Sequence, residues 1–179
     1  MLFYRRTMPI QLDKQQMKVK KSLIFFGVFI AFSILLPQTA SLATQNYSEV
    51  LELTNLVRTK NNLPPLQLSY ALTQTAELKA QDMLNNQYFA HISPQGKTPW
   101  DWLNQTNYLY SMAGENLAIN FNSPEEMMAQ WLASPTHRAN ILDPDFKEMG
   151  VAIVSGKFKN NNTTLIVQHF GAPMPEVGE

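Results

Sequence analysis

Three hydroxyl-proline pairs, Thr98-Pro99, Ser123-Pro124 and Ser134-Pro135, constrain the second half of this chain more than any other feature. A hydroxyl side chain can cap the orphan N–H groups of a starting helix, and a proline in the first turn loses nothing by lacking its own. Each pair therefore marks a helix start. Glu126, three residues after Ser123, completes a capping box, and Asp101 favours the positive end of its own helix. Between and beyond these starts, "GENLAIN" from Gly114, "MGVAIVS" from Met149 and "TTLIVQHFG" from Thr163 read as strands. The last two are joined by "GKFKNNN", a polar segment expected to form an exposed hairpin loop. Short helices around a few antiparallel strands predict an α+β or layered α/β/α domain.

Upstream, Val50, Leu53, Leu56 and Val57 keep the 3 and 4 spacing of a helix with one buried face, predicted over 46–61. Pro64 and Pro65 end it, because the residue before a proline is pushed out of the helical region. A second helix is predicted over about 69–86, with Leu72, Ala76, Ala80 and Met83 inside and Ser69 as its cap. These two helices read as scaffold.

Charge is unevenly spread. Six of the fourteen Lys and Arg residues fall in residues 1–43 against one of the fourteen Asp and Glu, leaving eight basic and thirteen acidic residues in the remainder. An acidic domain lacks the clustered cations that displace counterions from phosphates, which excludes nucleic acid as a partner. The basic stretch precedes an apolar run from Leu23 to Leu36, too short to span a bilayer as a helix. With Ser41-Leu42-Ala43 after it, the pattern is that of a secretory signal cleaved after Ala43, or of an uncleaved N-terminal anchor, the one expected membrane contact. Met17 alone would begin a well-formed signal, so 1–43 reads as an extension plus signal and 44–172 as the domain. Residues 173–179 read as a frayed tail. There is no cysteine, hence no disulfide, no thiol nucleophile and no lipobox. An exported monomer held together by its core alone is expected.

The chemistry-bearing residues are few. His91 stands in "FAHISPQG" and His137 in "SPTHRANIL", in the first turn of the helix begun by Ser134, where the dipole favours a neutral imidazole. Spacing alone leaves His137 open between that chemistry and a bond to a nearby carbonyl. His169 alternates onto the face of Leu165 and Val167 and reads as packing or surface. Glu115 enters an apolar strand, which is costly without a partner. Two histidines and a carboxylate suit a divalent metal or an acid/base pair. No HExxH, GxSxG or P-loop accompanies them.

The blocks "AHISPQGKTPWDWL", "AGENLAIN", "AQWLASPTHRANILDPDFKEMGVAI" and "LIVQHFG", in this order, resemble the bacterial branch of the CAP superfamily, also called the SCP or cysteine-rich secretory protein, antigen 5 and PR-1 domain. The resemblance spans about residues 47–172. It implies a three-layer α-β-α sandwich with a small antiparallel sheet, its first two helices on one side. It also implies a cleft in which His91, Glu115 and His137 converge. Eukaryotic members carry a second glutamate three residues after the tryptophan matching Trp131, and here that position is Ser134.

Three functions follow as expectations. The leading one is a secreted, non-catalytic or marginally catalytic protein whose His/Glu cleft binds a small or apolar ligand, an envelope component or a divalent metal. The second is a zinc-dependent peptidase-like hydrolase, with His91 and His137 as ligands and Glu115 as third ligand or orienting group. The third is an extracellular interaction module with a vestigial cleft, presenting Trp100, Trp102, Tyr108 and Tyr110.

Overall fold

The computed structural model describes residues 5–7 and 40–174, with side chains from Tyr47 to Met174. The apolar run of the expected signal and residues 175–179 of the expected tail lie outside the described residues. The elements are β1 (Arg5–Thr7), α1 (Ala40–Lys60), β2 (Gln67–Leu68), α2 (Tyr70–Asn85), α3 (Pro99–Gln105), β3 (Tyr110–Ile119), α4 (Pro124–Ala133), α5 (Pro135–Ile141), β4 (Glu148–Phe158) and β5 (Asn161–Pro173). All three proline-marked helices begin at the proline itself. Their caps differ in detail. Ser123 Oγ accepts from the Glu126 amide, and the Thr98 amide donates to the Asp101 carboxylate at 2.7 Å. Ser134 stands at the N-cap of α5 without a side-chain cap bond, its hydroxyl paired instead with Thr136 at 3.1 Å.

The strands form one sheet in the order β1-β3-β5-β4-β2. Every pairing is antiparallel except that of β2, which runs parallel to β4 at the edge. The sheet is therefore mixed, where an antiparallel one was expected. The hairpin is also tighter than expected. β4 and β5 continue through "GKFKNNN" and turn over Lys159 and Asn160 alone, both at positive φ (47° and 67°). That is the backbone of a two-residue turn whose twist matches its flanking strands. Pro173, expected to fray, pairs with Tyr110.

Side-chain alternation sorts the two layers of helices. Val151, Ile166 and Phe170 pack with Val50 of α1, Met127 and Trp131 of α4, and Ile141 of α5. Ala152, Leu165 and Val167, one residue out of phase, pack with Ala76, Ala80 and Met83 of α2. Strand neighbours point to opposite faces, so α1 and α2 lie on opposite sides of the sheet. This corrects the expectation that the first two helices share a side. Trp100, Leu103 and Tyr110 join Leu72 on the α2 side. Trp100, Trp102 and Tyr110 are buried, so they are core and not the exposed aromatic surface an interaction module would present.

Two contacts set the helices at their distances. Arg58, fully buried at the end of α1, donates to the carbonyls of Pro64, Ile141, Asp143 and Phe146, tying α1 to the chain leaving α5. On the other face, α2 passes directly over Gly150, where an added Cβ would lie 2.1 Å from Leu72 C and Thr73 N. Since those are backbone atoms, nothing can swing aside. Gly150→Ala is expected to destabilise the fold by about 3 kcal/mol or more through overpacking, read as a lowered denaturant midpoint with an unchanged slope.

Candidate functional site

The close approach of α2 at Gly150 governs the site, because Gly150 pairs across the ladder with His169, and His169 pairs with Glu115. Glu115 and His169 thus stand directly opposite on adjacent strands, on the face covered by α2. Glu115 is 1% exposed and His169 is wholly buried. The Glu115 carboxylate meets His169 Nε2 at 3.0 Å through Oε2 and His91 Nδ1 at 2.6 Å through Oε1. An ionised carboxylate only accepts, so each ring must turn an N–H toward it. The other nitrogen of His169 lies 2.7 Å from Thr75 Oγ1 on α2, a hydroxyl also within 2.8 Å of Leu72 O. A hydrogen-bonded chain runs from α2 through two strands to the connection that carries His91.

Burial alone would raise the Glu115 pKa, but the hydrogen bonds from His169 and His91, with the nearby Lys79 charge, hold it below the usual carboxylate range. Lys79 is itself fully buried on α2, and its pKa is pushed down by desolvation, with Glu115 pulling the other way. His91 is where the assembly reaches the surface, its side chain 12% exposed and its neighbour Ile92 44% exposed.

His137 lies near enough to His91 to feel its charge. It is not hydrogen-bonded to Glu115. Its ring lies 6.2 Å from that of Trp131, and its buried Nε2 has no hydrogen-bond partner among the described residues. Desolvation, followed by the proximity of His91, pushes its pKa down, so neutral imidazole is favoured as the sequence suggested. The helix that carries it is held through the other face of β3. Asn116 donates to the His137 carbonyl at 3.4 Å and to Gln168 Oε1 at 3.2 Å, and accepts from Asn140 at 2.9 Å. Asn140 also bonds the Glu115 carbonyl.

His91 and Glu115 therefore come together as expected. His169, read from sequence as packing or surface, belongs to the same assembly, and Thr75 and Lys79 join it unforeseen. Both oxygens of Glu115 are engaged by imidazoles. Among the described residues, no group of three or more His, Cys, Asp or Glu side chains is arranged to hold a metal ion. Zinc centres use three or four protein ligands, and no such set is grouped among the described residues.

A family model described as the cysteine-rich secretory protein family, CAP, matches residues 51–170. The chain is 42% identical over 106 residues to the Bacillus subtilis protein YkwD, covering 59% of this chain and 41% of that one. It is 31% identical over 110 residues to the B. subtilis membrane protein YlbC, covering 62% of this chain and 32% of that one. It thus spans less than half the length of either. Among solved structures it is similar to an extracellular SCP-domain protein of Bacillus anthracis, with TM-score 0.64, 28% identity, and 78% and 45% of the two chains covered. It shares its fold with an outer surface protein of Borrelia burgdorferi, with TM-score 0.61, 23% identity, and 78% and 97% covered.

Acid is expected to destabilise this domain in two stages. His137, with its pKa below the ordinary 6.5, stabilises fully above that value and loses its contribution as pH falls from 6.5 through the lower folded pKa. Glu115 stabilises fully above 4.5 and loses its contribution below it. Thermal melts across pH 7 to 3 should show both stages, His137→Phe flattening the upper one. Glu115→Gln should flatten the lower one and cost about 3 kcal/mol at neutral pH, because it strands buried Lys79 without its opposing charge.

Proposed function

The chain belongs to the CAP, or cysteine-rich secretory protein, family, and from that premise we propose that it works outside the cytoplasm as a binding domain rather than as a hydrolase. In this reading Glu115 fixes the His91 ring at the surface, where it recognises the polar end of a small ligand. The observation that carries it is the double commitment of the Glu115 carboxylate, one imidazole on each oxygen. A general base must reach the proton it removes and works best with a pKa near the operating pH. Glu115 is buried, engaged on both oxygens and held below the usual range. Nor are three or more His, Cys, Asp or Glu side chains grouped among the described residues to hold a zinc ion that would supply a nucleophile in its place. Work outside the cytoplasm is supported by the basic and apolar N-terminal pattern and by the extracellular and outer-surface proteins to which the chain is similar. No helix among the described residues is long and apolar enough to cross a membrane.

A second reading, an apolar ligand or envelope lipid bound on the face of the sheet opposite Glu115, is favoured by one observation. A cavity of about 170 Å³ opens between α1, α4 and the sheet, lined by Val50, Pro124, Met127, Ile153 and Ile166, with Phe121 beside them. It adjoins a polar trough that shares Phe121, Asn122 and Thr164.

The purified domain is expected to leave a panel of peptide and ester substrates uncleaved, and to show no saturable zinc binding by calorimetry. Turnover that disappears in His91→Ala would overturn the binding reading, and one-to-one zinc binding lost in His137→Ala would overturn the exclusion of zinc. Mass spectrometry of molecules retained by the protein tests the ligand directly. His91→Ala should lose the polar-headed species and Phe121→Asp the apolar ones.

A further inference from the structure

His91 lies between α2 and α3 on neither a helix nor a strand, so no ladder fixes its backbone. We propose that Lys79 is the positioning residue of the His91–Glu115 pair, an inference that rests on reading His91 as a recognition group. A buried lysine is rarely tolerated unless paired, and Lys79 is completely enclosed. Its ammonium has three donors and all are used: Tyr88 Oη at 3.1 Å and the carbonyls of Ala90 and His91, each at 2.9 Å. Two consecutive carbonyls gripped by one cation fix the two peptide planes that flank the His91 Cα. Tyr88 is held in turn, its hydroxyl donating to the Asp82 carboxylate one turn further along α2. The Lys79 ammonium also lies 4.8 Å from the centre of the Tyr88 ring.

The same charge faces Glu115. The charged groups acting on Lys79 are Glu115, Asp82 and Lys97. Glu115 and Lys79 therefore compensate one another while gripping the same residue, the carboxylate through the His91 ring and the ammonium through its backbone. A methionine would fill the volume of Lys79 and leave three acceptors unsatisfied. An apolar filler does not explain what is found there.

The test uses nitrogen-15 NMR on the full chain, following the ring N–H protons that His91 and His169 donate to Glu115, with assignment through His91→Gln and His169→Gln. Lys79→Met is expected to speed exchange of the His91 Nδ1–H by roughly tenfold or more while the His169 Nε2–H stays protected. Lys79→Arg should restore part of that protection. Tyr88→Phe, which removes one acceptor and keeps the ring, should give a smaller increase and guards against Lys79→Met failing to fold. Unchanged His91 exchange in folded Lys79→Met or in Tyr88→Phe overturns the proposal, as does equal loss at both histidines, which would mark Lys79 as a general stabiliser. These signals do not depend on any ligand. A failure of the recognition reading appears instead as retained-ligand profiles identical in wild type and His91→Ala.

Discussion

A buried carboxylate that stays ionised is the constraint around which this domain is arranged. Glu115 is almost wholly shielded from solvent, and isolated burial of such a charge is prohibitive. Each element nearby supplies part of the compensation. The β3–β5 register sets His169 opposite it, α2 contributes Thr75 behind His169 and Lys79 beside it, and the connection after α2 brings His91. Gly150 belongs to the same requirement, since any side chain there would lift α2 from the strands and carry Thr75 away from His169. The pair Glu115 and Asn116 divides the work between faces. Glu115 organises the α2 side, while Asn116, pointing the other way, holds α5 through the His137 carbonyl and Asn140.

Much of this was legible, for identifiable reasons. Three helix starts were legible because proline and a preceding hydroxyl act through local chemistry, although the same pair at Ser93-Pro94 opens only a turn. His91 and Glu115 were legible as a polar residue in a connection and a charge entering a strand. His169 was not, because a residue alternating with Leu165 and Val167 looks like core. The signal that would have found it is the same alternation taken one step further. A histidine on a buried face needs a partner, and an antiparallel neighbour carrying Glu115 on that face offers one. Lys79 and Thr75 hid within the inner stripe of α2, at spacings that fit Leu72, Ala76, Ala80 and Met83 equally well. The hairpin misled for the opposite reason. Polar residues beyond the core satisfy strand pairing as well as apolar ones do, so composition marked a loop where the ladder continues to a two-residue turn.

The arrangement also separates two histidines that look equivalent in the sequence. His91 donates to an ionised carboxylate at the surface, whereas His137 lies against Trp131 with a buried nitrogen that no described residue satisfies. Ser134, where eukaryotic relatives of this family carry a second acid, pairs its hydroxyl with Thr136. No second carboxylate thus stands at that position to charge the His137 ring or to share a metal with it. What remains is one anchored imidazole backed by a saturated carboxylate. Such a pair has its hydrogen-bonding capacity directed outward through a single ring, with a carboxylate engaged on both oxygens behind it. That asymmetry, more than the residue types taken singly, is what the proposed recognition role rests on.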